Sequence, residues 1–292
     1  MQVLSRNGLV LAGLMIAAAP ALVAQNLPYG LKQSSPVALS NAKAKKPGPQ
    51  AKAFKGQYAF ALHGASVGGQ SVSREEGIAG SLTADGKGNI ISGVEDFNSA
   101  TGTFAQLPVT GSYTLDANGT GTLTLVSDQM TQTFSLYAPL TGTKIQNASL
   151  VQIDGTAGTG GTLVRQSPTD ALVGNYSFNL SGETFETSGV PNAVSAAGTF
   201  NIIAGLVQGQ ATFFVGDAAH GGAIVSSFAF PANMTPPDPN GRFTLSFSFI
   251  PGDDSSPQVH FAGYVVDAKH FNLLPIDPPS DLLPLMTGSA VQ

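Results

Sequence analysis

The sequence predicts an all-β protein of two tandem antiparallel meander domains, closed as barrels in preference to sandwiches, with almost no helix apart from an N-terminal signal segment. Three observations predict it. The segment Gly56-Gln57-Tyr58-Ala59-Phe60-Ala61-Leu62-His63-Gly64 returns as Gly174-Asn175-Tyr176-Ser177-Phe178-Asn179-Leu180-Ser181-Gly182, and the shared residues fall at every second position, the period of a half-buried strand. The chain is only 11% charged yet holds 35 glycines, so its polar surface must come from Ser, Thr and Asn in tight-turned strands, not from charged helix formers. Asp-Gly and Asn-Gly pairs separate alternating segments, the pattern of short hairpins. A meander of about eight such strands removes its exposed edges by closing on itself.

The elements follow in chain order. Met1 to Ala24 carry one Arg6, an apolar run from Gly8 to Ala19, and small residues ending in Ala19-Pro20-Ala21 and Leu22-Val23-Ala24, the layout of a cleavable secretory signal over residues 1–24. A retained N-terminal anchor is the competing reading. The run is shorter than the roughly 20 apolar residues of a spanning helix, and no later segment approaches that length. A mature chain without a transmembrane span is expected, secreted, periplasmic or at the cell surface. The absence of cysteine excludes a lipoprotein anchor, disulfides, a thiolate nucleophile and Cys-based metal sites.

Residues 25–55 lack apolar periodicity and hold Lys32, Lys43, Lys45, Lys46, Lys52 and Lys55, which reads as a disordered basic linker. Every Asp and Glu lies beyond Lys55, so the folded part is acidic and repels nucleic acid. The linker is either a solubilising spacer or a tether resting on an anionic envelope or extracellular polymer.

The first repeat, residues 56–167, opens with Tyr58, Phe60 and Leu62 on one strand face. Ser81 to Ala84 then turns through Asp85-Gly86-Lys87-Gly88-Asn89 into Ile90 to Val94, and Ser112 to Leu115 turns through Asp116-Ala117-Asn118-Gly119 into Thr122 to Leu125. Further strands are expected at Thr133 to Tyr137, Lys144 to Ile153 and Thr162 to Arg165. The second repeat, residues 172–277, follows the same plan. Gly198-Thr199-Phe200 answers Gly80-Ser81-Leu82, and Phe243, Leu245, Phe247 and Phe249 alternate strictly with hydroxyl residues. Pro231 to Pro239 and Pro251 to Pro257 read as extended loops, Tyr264 to Asp267 and Phe271 to Ile276 as strands, and residues 278–292 as a flexible tail.

The Gly-x-aromatic opening strand followed by a meander resembles the lipocalin and avidin-like calycin barrels, without their usual tryptophan. The Gly-Tyr-Phe opening, the Ala84-to-Ile90 turn and the Asp116-to-Gly119 hairpin also resemble the uncharacterised secreted Gly-rich β-repeat proteins of acidobacterial type. The first likeness implies a fold and, by analogy, a barrel mouth where Tyr58, Phe60, Tyr176 and Phe178 bind a small apolar ligand. The second implies no function.

Candidate chemistry is sparse. Gly64-Ala65-Ser66-Val67-Gly68 fits the spacing of a nucleophile elbow, but that motif needs a helix after the serine, and Gly69 to Gly77 has no apolar periodicity and reads as a loop. The turns at Asp85 and Asp116 lack the downstream bidentate carboxylate of a calcium loop, and Asp253-Asp254 supplies only two carboxylates. His220 and His270 each follow an aspartate by three residues, a spacing that does not stack two side chains on a strand. His63 and His260 read as polar residues on strand faces. Asn118, Asn147, Asn175, Asn179 and Asn233 open Asn-x-Ser/Thr triplets whose main value is to mark outward faces. No catalytic, metal or cofactor residue is assigned. The expected function is therefore non-catalytic surface binding or adhesion by an exported protein, with a calycin-like carrier as the alternative and a hydrolase resting on Ser66 or on Glu75 and Glu76 third.

Overall fold

The computed structural model describes residues 49–66, 74–100, 102–167, 172–185, 191–217, 222–248, 258–279 and 284–292. A short helix α1 (Pro49–Ala53) precedes β1 (Lys55–Ser66), β2 (Arg74–Asp85), β3 (Asn89–Ser99), β4 (Gly102–Pro108), β5 (Thr110–Leu115), β6 (Thr120–Val126), β7 (Thr131–Tyr137), β8 (Asn147–Gln152) and β9 (Gly160–Arg165). The second half contributes β10 (Gly174–Phe185), β11 (Pro191–Ile203), β12 (Leu206–Asp217), β13 (Gly222–Met234), β14 (Arg242–Ser248), β15 (Gln258–Asp267), β16 (His270–Pro275) and β17 (Leu285–Val291). The all-β, two-barrel expectation holds. Strands β10 to β17 form one closed antiparallel ring in chain order.

The first sheet closes through the β2–β3 pairing and reaches the same strand number by a different route. Strand β3 pairs with β4 from Val94 to Ser99 and with β5 at Asn89 and Ile90, while the Val109 N–H between them donates to Gly93 O at 3.0 Å. Strands β4 and β5 therefore act as one interrupted strand, and both barrels have eight staves.

The two opening strands also share their register. Tyr58 faces Leu82 and Phe60 faces Gly80, just as Tyr176 faces Phe200 and Phe178 faces Gly198. A glycine is required opposite each phenylalanine because the ring lies across it: a Cβ on Gly80 would come within 2.3 Å of Phe60 Cζ, and one on Gly198 within 2.7 Å of Phe178 Cε1. The closing strand repeats too. Leu62 pairs with Gly161 and Leu180 with Gly288. A Cβ on Gly288 would lie 1.9 Å from the Asn179 carbonyl oxygen, a backbone atom that cannot swing away. Gly288→Ala is thus expected to cost about 2 kcal/mol through overpacking, read as a lower urea midpoint at unchanged slope. Gly102→Ala, whose new methyl would meet nothing nearer than 3.7 Å, should be close to neutral.

Four expectations are corrected. The segment 278–292 is not a loose tail, since β17 pairs with both β10 and β16 and closes the second barrel; its Leu285, Met286 and Ala290 are buried. The linker expected over 25–55 is ordered from residue 49, because α1 and Phe54 plug one end of the first barrel. Phe54 packs 4.6 Å from the Tyr58 ring and 4.8 Å from Tyr113, and the Tyr113 hydroxyl donates to Ala51 O and Phe54 O. Burial pushes that hydroxyl up to about 12. Glu75, Glu76 and Gly77 lie in β2 rather than in a loop; Glu75 and Glu76 are buried, and their backbones pair with Ala65 and Gly64. Pro231 belongs to β13, where it faces Gln208 of β12. There its missing N–H costs nothing, because the pairing of β13 with β14 begins only at Ala232. Residues 1–48, His220, Pro251 to Pro257 and Asp253-Asp254 lie outside the described residues.

The described residues belong to one compact unit, and the barrels pack wall to wall. Outward-facing Ala59, Ala79 and Val94 of β1, β2 and β3 form a buried apolar seam with Ala262, Tyr264, Val266 and Leu274 of β15 and β16. At its centre Arg242 Nε and Nη2 donate to the Asp96 carboxylate at 2.7 and 3.0 Å, and the Tyr264 hydroxyl donates to Asp96 at 2.6 Å. Burial and the adjacent carboxylate hold the Tyr264 phenol well above its usual value.

Candidate functional site

The aromatic residues expected at a barrel mouth are core residues of two separate barrels. Tyr58, Phe60, Tyr176 and Phe178 are all buried, and the two tyrosine hydroxyls donate to backbone, Tyr58 to Ile145 O at 3.1 Å and Tyr176 to Ala268 O at 2.7 Å. Rings fill the second barrel. Tyr176, Phe200 and Phe271 sit with centroids 5.1 to 6.0 Å apart, and Phe247 stacks on Phe261 at 5.8 Å. The cavity left among Phe178, Leu180, Phe213, Leu245 and their neighbours is about 20 Å³, room for about one water and far too little for a small organic ligand.

The lumen of the first barrel is different. At the end opposite α1, Glu76, Gln132, Gln152 and Thr159 are buried, and Glu95 lies in the half of β3 nearer that end. The strand period turns these side chains inward: Glu76 is two residues from the core Ile78, Glu95 pairs with Gly80 opposite Phe60, and Gln132 is two residues from the core Phe134. Gln152 accepts from the Thr159 hydroxyl at 2.5 Å and donates to Asp154. Glu95 Oε2 and Gln132 Oε1 have no protein partner. Burial pushes the Glu76 carboxyl up to about 7, with Asp154 adding to the effect, and burial next to Asp96 pushes Glu95 up to about 8. In the second barrel the registers place Val194, Ala211 and Val259 at the positions of Glu76, Glu95 and Gln132. Aligning the repeats strand by strand would have revealed this contrast, but without the registers nothing in the sequence marks Glu95 or Gln132 as interior.

The remaining candidates are scattered. Ser66 ends β1, and after residue 73 the chain resumes as a strand, β2, which pairs back onto β1. No helix is seen after the serine among the described residues, and Val67 and Gly68 of the motif lie outside them. His63 Nε2 pairs with Glu75 Oε1 on the outer face, and that bond raises the imidazole pKa. His260 Nδ1 lies 2.9 Å from Asp277 Oδ1, and burial lowers the pKa of His270. Asp85 and Asp116 each accept backbone N–H bonds within their own turns, from Lys87 and Asn89 and from Asn118 and Thr120. Among the described residues no group of three His, Asp or Glu side chains converges as a metal would need.

A broad concavity lies on the outer wall of the second barrel. About 850 Å³ is bounded by outward-facing Asn175, Ser177, Thr199, Asn201, Gln208 and Gln210, and the wall continues into a second hollow of about 490 Å³ that shares Thr199, Gln210 and Ala229 and adds Thr212. None of these residues is charged. Asn201 Nδ2 donates to Asn175 Oδ1 at 2.7 Å, which fixes the amide pair across β10 and β11. Sequence reading marked Asn175 and Asn179 as outward but missed the wall, because β12 and β13 escaped it.

No protein-family model matches the chain, and no curated protein matches it. Among solved structures it is similar to the vaccine antigen transferrin binding protein B of Haemophilus parasuis, with 8% identity over 82% of this chain and 76% of that one at a TM-score of 0.30. It is also similar to kievitone hydratase of Nectria haematococca, with 9% identity over 85% of this chain and 94% of that one at a TM-score of 0.20. Likenesses this distant carry no argument about what the chain does.

Proposed function

We propose that the chain is an exported, non-catalytic protein that acts in surface binding or adhesion through the outer wall of its second barrel. The observation that carries this reading is the hollow of about 850 Å³ across β10 to β13 and the end of β17, lined by no charged side chain. Export rests on residues 1–24, and the lysines of the following segment would favour an anionic envelope or extracellular polymer as the surface approached. The carrier alternative, a small apolar ligand among Tyr58, Phe60, Tyr176 and Phe178, requires those packed rings to move aside, since the second interior keeps only about 20 Å³ free.

The test is a binding screen of the protein against immobilised envelope and matrix polymers, run beside a broad activity screen. Gln210→Glu and Ser177→Arg, both on the exposed wall, are expected to weaken capture about tenfold by placing an unpaired charge in a neutral contact. Capture indifferent to both substitutions, or turnover abolished by changing one polar side chain, would end the proposal.

A further inference from the structure

Because the chain is a duplication, its internal barrel–barrel contact has a second, vacant copy of each half. On the first barrel the receiving wall is made by Ala59, Ala79, Ser81, Val94 and Asp96. The registers place Ser177, Ala197, Thr199, Gln210 and Thr212 at those positions on the second barrel. These line the two hollows described above, so the wall that is filled in one barrel is an open concavity in the other.

The inserted face is also duplicated. Its Ala262, Tyr264, Leu274 and Ile276 correspond to Ser135, Tyr137, Val151 and Ile153 on β7 and β8, as the pairings of Leu123 with Phe134 and Phe134 with Gln152 match those of Leu245 with Phe261 and Phe261 with Pro275. Tyr264 and Leu274 are buried in the seam, with Ile276 packed against it. Their counterparts are left in water: Tyr137 is 50%, Val151 49% and Ile153 52% exposed. Even the flanking pair is preserved in place, with Arg242 facing Tyr264 and Thr120 facing Tyr137.

We propose that a second copy of this chain docks here, the β7–β8 face of one molecule seating in the β10–β12 wall of the next in the manner of the internal contact. The inference rests on the reading of that wall as the binding surface and names its occupant. Such a contact is heterologous, so copies add head to tail, as a ring where the rotation between them closes and as an open string of barrels where it does not. Thr212 and Thr120 stand where the internal seam has Asp96 and Arg242, so the contact between copies lacks the central ion pair. It is weaker than the internal one and insensitive to salt.

Sedimentation velocity of the full chain over a wide concentration range tests this. Mass is expected to rise with concentration past the dimer, equally at low and high salt. Val151→Asp, at a half-exposed position that the fold tolerates, should weaken association about tenfold. Thr212→Asp alone should do the same, whereas Thr120→Arg with Thr212→Asp rebuilds the ion pair and should tighten association beyond the parent chain. A monomer at every concentration, in the parent and in the double variant, overturns the inference, as does association unchanged by Val151→Asp. Polymer capture lost on Gln210→Glu in a strictly monomeric protein overturns self-docking while leaving the wall as the binding surface.

Discussion

Asp96→Ala is expected to destabilise the protein by about 3 to 5 kcal/mol, the range for removing one partner of a buried ion pair. Asp96 is fully buried and accepts four hydrogen bonds, from Arg242 Nε and Nη2, from the Tyr264 hydroxyl and from the Gln106 N–H. Truncation strands a guanidinium that is itself only 6% exposed. The carboxylate comes from the first barrel and both side-chain donors from the second, so the damage is specific to the seam. Chemical denaturation should change from one transition to two as the barrels uncouple. Asp96→Ala combined with Arg242→Leu should recover part of the loss, because the uncompensated charge goes with it. An Asp96→Ala protein that unfolds in one transition at the parent midpoint would show that the ion pair does not couple the barrels.

Raising the pH from about 5 to 8 is expected to lower stability by up to about 6 kcal/mol, the slope reaching about 1.4 kcal/mol per pH unit for each of the two buried carboxyls. The cause is the lumen of the first barrel. Glu76 and Glu95 are held protonated to about 7 and about 8, whereas in the unfolded chain they lose their protons near the ordinary glutamate value of 4.5. Between those values the folded state binds more protons than the unfolded one, so stability falls as pH rises and levels off once the folded carboxyls also ionise. Glu75 and His63 are shifted the same way and add to the fall. At the acid side Asp85, Asp116 and Asp154 are held below their usual value by hydrogen bonds in their turns, so stability is also lost as pH drops through that range. The maximum is therefore mildly acidic. Glu95→Gln keeps the shape of the protonated side chain and removes its titration, so thermal unfolding followed from pH 5 to 9 should show a flatter profile and a higher midpoint at pH 8. A profile as steep as the parent's would place the alkaline loss elsewhere.

The opening motif made the architecture legible because burial on one side of a strand imposes a period of two, and the sequence carries that period at the start of both barrels. Tyr58 and Tyr176, the Asp85 and Asn118-Gly119 turns, and the alternation from Phe243 to Phe247 all carried local signals that the fold obeys. Other elements gave weak signals. Leu206–Asp217 and Gly222–Met234 mix glycine, alanine and proline into their outward positions, and the Leu285–Val291 strand is a short run near the chain end. All three are stabilised by partners far away in sequence. The same limit hid the candidate surface, since the wall hollow is assembled from β10 to β13 together with the distant β17, strands whose individual residues are ordinary.

Alternating side chains and tight-turn residues were enough by themselves to determine an all-β chain with two apolar interiors, because those properties follow from interactions between residues near one another in sequence. Only the tertiary structure decided that the rings fill their barrels, that Glu95 and Gln132 point into one lumen where the other has Ala211 and Val259, and that Asp96 meets Arg242 across 146 residues. Those outcomes depend on strand register and barrel closure, and register is set by the summed packing of a whole ring of strands rather than by any one of them.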